Sequence, residues 1–210
     1  MLLIRRLSKR YASRDILNIV EQRFDKGLSC IKGRNGAGKS TLLKVLAGLI
    51  DFRGEVILAD SIFLKKHPLP YRRFVNFAEA EPIYPSFLSG VDLIDLFIRA
   101  KKGSVEETNR FIDKFGMQDY LQNNVSTYSA GMLKKLSILL AFIGHPKVIL
   151  LDEPFITLDE AAVKQLSFFI NDYIVGKQAS FVVTSHQSVP DDIPVHHRFL
   201  LENCQLFKLS

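Results

Sequence analysis

The stretch Gly33-Arg34-Asn35-Gly36-Ala37-Gly38-Lys39-Ser40, with Thr41 behind it, decides how this chain of 210 residues is read. It fits G-x-x-x-x-G-K-[ST], a loop in which glycines let the backbone close tightly round an anion with successive N–H groups pointing inward. In such a loop Lys39 reaches the β- and γ-phosphates of a nucleotide, and the Ser40 hydroxyl is a ligand for Mg²⁺. A helix expected from Lys39 to about Ala47 turns its N-terminal amides and positive dipole end toward the same phosphates. A bare glycine-rich turn would share the pattern, so the flanks matter. Upstream, Leu28-Ser29-Cys30-Ile31 is a short apolar, β-favouring run; downstream, Leu42, Leu43, Val45 and Leu46 recur at helical spacing. Strand, loop and helix in that order point to nucleotide binding.

The bulk numbers set the class around this loop. A hydrophobic share of 47% with 24% charged residues is that of a globular protein with a real core. Cys30 and Cys204 are the two cysteines, too few for a disulfide framework or a metal-ligand pattern, and Cys30 is expected to pack as a small apolar group. The opening Met1-Leu2-Leu3-Ile4-Arg5-Arg6 lacks the features of a signal peptide, and no apolar run is long enough to span a membrane, so a cytoplasmic location is expected. A formal charge of +6 suits anionic partners. The cations lie in scattered pairs, Arg5/Arg6, Lys65/Lys66, Arg72/Arg73, Lys101/Lys102 and Lys134/Lys135. They read as a solvated basic surface, and nucleic acid is not expected as a partner.

Patterning along the chain predicts antiparallel strands at Leu2–Leu7 and Ile19–Phe24, with a turn over Tyr11–Asp15 between them. Tyr11 there is either a surface tyrosine or a ring placed to stack on a base. A strand at Gly54–Leu58, a loop holding Pro68 and Pro70, and a buried strand at Phe74–Ala78 follow. From Leu88 to about Asn124 the pattern is helical, with a capping box expected at Ser104–Glu107, and a further helix runs from about Met132 to Phe142. Val148-Ile149-Leu150-Leu151 reads as a parallel strand buried on both faces, delivering Asp152 and Glu153 at its carboxyl end. A helix from about Glu160 to Ile174, a strand at Ser180–Thr184 and a closing hairpin, Arg198–Leu201 with Gln205–Leu209, complete the chain.

Taken in order, Tyr11, the phosphate loop, Glu81-Pro82, Tyr128-Ser129-Ala130-Gly131-Met132, Ile149-Leu150-Leu151-Asp152-Glu153-Pro154, Thr157-Leu158-Asp159 and Ser185-His186 resemble the landmarks of ABC ATPase nucleotide-binding domains. The resemblance covers essentially the whole chain. It implies an α/β, P-loop NTPase fold of the ABC ATPase type: a mixed core sheet, an N-terminal antiparallel β subdomain and an inserted helical subdomain. One domain over 1–210 is implied, with the RecA-like and β lobe at about 1–80 and 145–210 and the helical lobe at about 82–144.

The same resemblance assigns roles. Gly33 to Thr41 (with Arg34, Asn35, Gly36, Ala37 and Gly38) would hold the phosphates of ATP, and Tyr11 its base. Asp152 looks like the Walker B aspartate which, with Ser40 and Glu81, would hold Mg²⁺. Glu153 resembles the carboxylate that polarises the attacking water, His186 the switch histidine on the γ-phosphate, and Lys39 completes the catalytic set. His145, His196 and His197 are expected to be structural. Asp159 resembles an aspartate that passes between two subunits. Ser129, Ala130 and Gly131 occupy the signature usually written L-S-G-G-Q; Tyr128, Ala130 and Met132 depart from it. Ser129 and Gly131 would address a phosphate held by a partner subunit, which implies a dimer, expected to be a homodimer, and Ser129 also suits a helix N-cap. Glu81 departs too, standing where most members have glutamine, and Glu79 competes with it by register. A compact bacterial export-type subunit serving an integral-membrane transporter, on the cytoplasmic face of the inner membrane, is the expected setting. The ending Thr184-Ser185-His186-Gln187 is similar to that of the haem-exporter ATPase of cytochrome c maturation. A soluble ABC ATPase, such as the iron–sulfur assembly type, is the alternative.

Overall fold

Leu17 and Ile19 alternate with the exposed Asn18 and Val20, and this period of two makes a half-buried sheet at the N-terminus. In the computed structural model, which describes residues 1–186 and 188–209, β1 (Leu2–Tyr11) pairs antiparallel with β2 (Arg14–Phe24). Both strands are longer than expected. Tyr11 and Arg14 are paired, so the turn shrinks from Tyr11–Asp15 to Ala12-Ser13, with Ala12 at φ 49° and an Arg10–Asp15 ion pair of 2.8 Å beside it. Gln187 of the expected ending, and Ser210, lie outside the described residues.

The phosphate loop joins β3 (Leu28–Lys32) to α1 (Lys39–Leu46), close to the expected bounds. β4 (Arg53–Leu58) returns to pair with β1, and a short β5 (Ile62–Phe63) that the pattern did not signal extends that sheet. The segment expected as a proline-containing loop is instead helical, α2 (Pro68–Phe74), so the strand behind it, β6, starts one residue late (Val75–Ala78). Prolines interrupt a helix only where an N–H is needed, and the first turn leaves its N–H groups free of intrahelical partners. Tertiary packing then fixes the turn: Tyr71 is fully buried and its hydroxyl donates to Leu46 O at 2.6 Å.

The helical stretch resolves into α3 (Gly90–Lys101), α4 (Val105–Phe115) and α5 (Ala130–Phe142), the last starting two residues before its expected origin. Chain entry and exit lie side by side, since Val91 N–H donates to Leu121 O and Val125 N–H to Leu88 O. Ser104 caps α4 by accepting from Glu107 N–H at 3.2 Å, but the reciprocal capping box stands at Ser89–Asp92, on α3. β7 (Val148–Asp152), α6 (Glu160–Val175), β8 (Ser180–Thr184) and the hairpin β9 (His197–Glu202) with β10 (Gln205–Leu209) follow.

Among the described residues the strands form one antiparallel sheet, β2-β1-β4-β5, and one mixed sheet, β10-β9-β3-β8-β7-β6, parallel except for β10. Alternate residues of the parallel strands feed two cores. Ile149, Leu151, Phe181 and Val183 face the helical lobe and α6, whereas Val148, Leu150 and Val182 face α1 and the antiparallel sheet. Helix α1 is clamped between the two sheets, with Leu42, Leu43, Val45 and Leu46 all fully buried; each such side chain stabilises the fold by roughly 2 kcal/mol. A ring cluster joins the lobes on the other side, with Phe111 of α4 stacked 4.3 Å from Phe115 and 4.4 Å from Phe169 of α6.

The expectation of a solvated basic surface fails at two positions. Lys134 is 1% exposed, and the Lys101 ammonium turns inward to the carbonyls of Arg72 and Val75. In both cases backbone oxygens near an element end supply what water would have given. Cys30 packs in the core as expected.

Candidate nucleotide-binding and catalytic site

The parallel strands deliver the chemistry at their carboxyl ends, where open α/β sheets form their crevices. β3 leads into the phosphate loop, β6 into Glu79-Ala80-Glu81, β7 into Asp152-Glu153, and β8 into Ser185-His186. One cleft collects Tyr11, Asn35, Gly36, Gly38, Lys39, Ser40, Thr41, Glu81, Glu153 and His186. Gly33, Arg34 and Ala37 contribute loop backbone instead. Gly38 caps α1 at φ 102°, a left-handed conformation that costs any residue with a Cβ, and a Cβ there would also sit 2.9 Å from Ile16.

Lys39 is buried, and its ammonium donates to Gly33 O at 2.9 Å and Arg34 O at 3.3 Å, bridging the loop's own carbonyls. It stands 3.7 Å from Glu153 Oε1, while Glu153 Oε2 lies 3.0 Å from His186 Nδ1 and accepts from the His186 N–H at 3.2 Å. Lys39, Glu153 and His186 thus form a row across the cleft. Glu153 has φ 45°, and its N–H donates to both Thr184 O at 3.2 Å and Thr184 Oγ1 at 3.1 Å. A strained backbone pinned by two bonds turns the carboxylate out of the sheet and into the cleft.

Asp152 is almost fully buried, and Oδ1 accepts from Thr184 Oγ1 at 2.6 Å. Glu81 lines the cleft, whereas Glu79 pairs with Lys44 at 3.0 Å. Ser40, Asp152 and Glu81 are hard oxygen donors, the set that suits Mg²⁺. No group of three or more His, Cys, Asp or Glu able to cage a metal occurs among the described residues.

Tyr11 lines the rim with its ring half exposed and Lys9 Nζ 4.8 Å from the ring centroid. Ser129, Ala130 and Gly131 do not line the cleft. They begin α5, where Ser129 Oγ accepts from Met132 N–H at 3.2 Å and Ser129 N–H donates to Met132 Sδ at 3.4 Å, so Ser129 is the N-cap. Gly131 lies against Thr157, whose carbonyl would be 3.0 Å from a Cβ at that position. Tyr128 finds a partner for its hydroxyl in Tyr120 O at 2.9 Å. Asp159 caps α6 through Ala162 N–H at 2.7 Å and pairs with Lys135 at 3.0 Å; those two contacts hold its carboxyl below the usual range. His196 Nδ1 accepts from Leu28 N–H and the His197 ring meets Lys26 O, while His145 is exposed away from the cleft.

Ile16, Ala80, Ile156 and Thr157 also line the cleft, and Thr184 and Lys134 stand behind it; none was among the candidates. Thr184 had a signal, as a hydroxyl at the end of the strand before His186, and Thr157 stood in the landmark that ends at Asp159.

A mixed sheet with the phosphate loop, Asp152, Glu153 and His186 on adjacent strand ends matches a known family. The model of the ABC transporter family aligns with residues 24–156. This chain belongs to that family. It is 28% identical over 189 residues to the ABC transporter ATP-binding protein YtrB of Bacillus subtilis, covering 89% of this chain and 64% of that protein. A solved ATP-binding subunit of an ABC transporter superposes with a TM-score of 0.88 at 26% identity, over 100% of this chain and 89% of that one. The cassette MJ0796, solved as a dimer in a post-hydrolysis state with ADP and Pi, shares the fold with a TM-score of 0.82 at 19% identity, over 100% of this chain and 99% of that one. The chain spans about two-thirds of YtrB. It is an ABC-type ATP-binding domain.

Proposed function

We propose that this domain hydrolyses ATP at the interface of a dimer and thereby drives transport through a separate membrane subunit. The observation that carries the reading is the row Lys39–Glu153–His186 beside the phosphate loop, with Asp152 directly behind it. Phosphoryl transfer needs little covalent help from a protein; it needs positioning and charge stabilisation. Lys39 and the loop amides bind the phosphates, trading the carbonyls of Gly33 and Arg34 for phosphate oxygens. Glu153 orients a water in line with the γ-phosphate and accepts its proton, and His186 steadies both that carboxylate and the phosphate. Ser40, Asp152 and Glu81 hold Mg²⁺, which when bound neutralises developing charge on the phosphates.

Ser129 and Ala130 are exposed and stand outside the cleft, which supports their use on a nucleotide held by a second copy. For the membrane partner the favoured seat is the segment Glu81–Leu88, where Ile83 is 90% and Phe87 75% exposed. None of the described helices is long and apolar enough to cross a membrane. The place of work is then the cytoplasmic face of a membrane. The transporter reading is preferred to a soluble ATPase because the sequence relative and the structural neighbour at 26% identity are both described as ABC transporter components.

The deciding experiment measures ATP affinity and ATPase rate for wild type, Lys39→Ala and Glu153→Gln. Lys39→Ala should lose most of the affinity. Glu153→Gln should keep it while turnover falls by roughly 10²-fold or more, the scale of a positioned acid–base group. Wild-type turnover in Glu153→Gln would remove Glu153 from the catalytic role.

A further inference from the structure

Lys134 sits in the second turn of α5 and is among the largest side chains the protein buries completely. An interior ammonium is costly unless every donor is used. This one donates to Asp152 O at 2.9 Å, Ala80 O at 3.0 Å and Glu79 O at 3.1 Å, three acceptors for its three N–H donors. The place of those acceptors gives the contact its meaning. Strands β6 and β7 pair in register up to Ala78↔Leu151, and the next residue on each side is Glu79 and Asp152. There the ladder ends and the strands fork, one prong running to Glu81 and the other to Glu153. The ammonium fills the crotch of the fork in place of the missing rungs.

We propose that Lys134 is a positioning residue for the site: it fixes the separation of the β6 and β7 ends, and so of Glu81 from Asp152 and Glu153, and ties both to the helix that starts at Ser129. The proposal rests on the ATPase reading above. A side chain needed only to fill space would be apolar, since Leu136, Ile138 and Leu139 of the same helix are buried without any polar atom. Burial lowers the pKa of the Lys134 ammonium, and the carboxylates of Asp152, Glu153 and Glu81 offset only part of that. Helix α5, whose N-terminus carries Ser129 and Gly131, is thereby joined to the two prongs by three hydrogen bonds and not by apolar contact alone. Lys135, next along, pairs with Asp159 on the surface and has no share in the fork.

The test uses the full chain as Lys134→Met, which keeps length and removes all donors, and Lys134→Gln, which keeps two donors without a buried charge and so protects against a variant that fails to fold. ATP affinity is measured by calorimetry with EDTA and again with Mg²⁺, and kcat and KM are followed well below each variant's melting temperature. The expected result is Mg²⁺-free ATP affinity within about threefold of wild type, a smaller gain in affinity on adding Mg²⁺, and kcat reduced at least about tenfold in Lys134→Met and less in Lys134→Gln. A folded Lys134→Met or Lys134→Gln protein with wild-type kcat and the wild-type Mg²⁺ gain would overturn the proposal, even if it melts earlier, because the lysine would then be structural alone. A wild-type protein without ATPase activity would instead sink the ATPase reading.

Discussion

Thr184 shows how one hydroxyl serves two neighbours. It donates to Asp152 Oδ1 at 2.6 Å and accepts from the Glu153 N–H at 3.1 Å, so it holds both carboxylate residues from the adjacent strand. Thr184→Val keeps the shape and removes the hydroxyl, leaving a buried carboxylate short of a donor. A loss of ~1–3 kcal/mol of stability is expected, by the cost of an unsatisfied buried group. The ATPase rate should fall more than ATP affinity, since Lys39 and the loop amides are untouched. Denaturant unfolding together with ATPase kinetics on the one variant checks both, and equal losses of rate and affinity would argue against the role given to Thr184.

At the scale of elements, helix ends and their loose carbonyls set the behaviour. Ser89 and Asp92 close the capping box of α3, with Ser89 Oγ accepting from Asp92 N–H at 3.1 Å and Asp92 Oδ2 accepting from Ser89 N–H at 2.9 Å. Ser89→Ala should cost ~1 kcal/mol of stability with ATP binding unchanged. The other end of α3 carries Lys101, whose pKa burial, aided by the Arg72 charge, lowers from 10.5 to about 8. Its charged form is therefore penalised in the folded state. Between about pH 8 and 10.5 the unfolded chain binds more protons at this site than the folded one, so folding gains stability as pH rises through that window. Lys101→Met removes the titration. Wild type should gain stability relative to Lys101→Met between about pH 7.5 and about pH 10, and a constant difference would show that the lysine titrates normally.

For the whole molecule the signature is the test of assembly. With Glu153→Gln preventing hydrolysis, Mg·ATP should drive a dimer visible by gel filtration, and adding Ser129→Arg should abolish it while the monomer still binds ATP. A persistent dimer in the double variant would mean that another face makes the interface. The membrane partner offers a second test at this scale. Crosslinks from that subunit should fall at Ile83 and Phe87, and Ile83→Asp should weaken co-purification without altering ATP affinity. Crosslinks confined to the β9–β10 hairpin would refute that seat.

Local chemistry was enough to read the phosphate loop, the buried strand ending in Asp152-Glu153, and the helix spacing of α1, because glycine geometry, a continuous apolar run and a 3.6-residue period each act within a few residues of chain. The order of those landmarks carried the family as well. What the sequence left open depended on partners distant along the chain. Prolines at 68 and 70 read as a loop until Tyr71 finds Leu46, and the pairing of Glu79 with Lys44 is equally out of reach of local pattern. Lys134 reads as surface charge because lysine is almost always solvated, and nothing nearby in sequence offers it acceptors. Only when β6 and β7 part side by side do the carbonyls of Glu79, Ala80 and Asp152 meet at one point. A buried ammonium is stable there because the tertiary structure supplies, all at once, the three oxygens that water would otherwise have given.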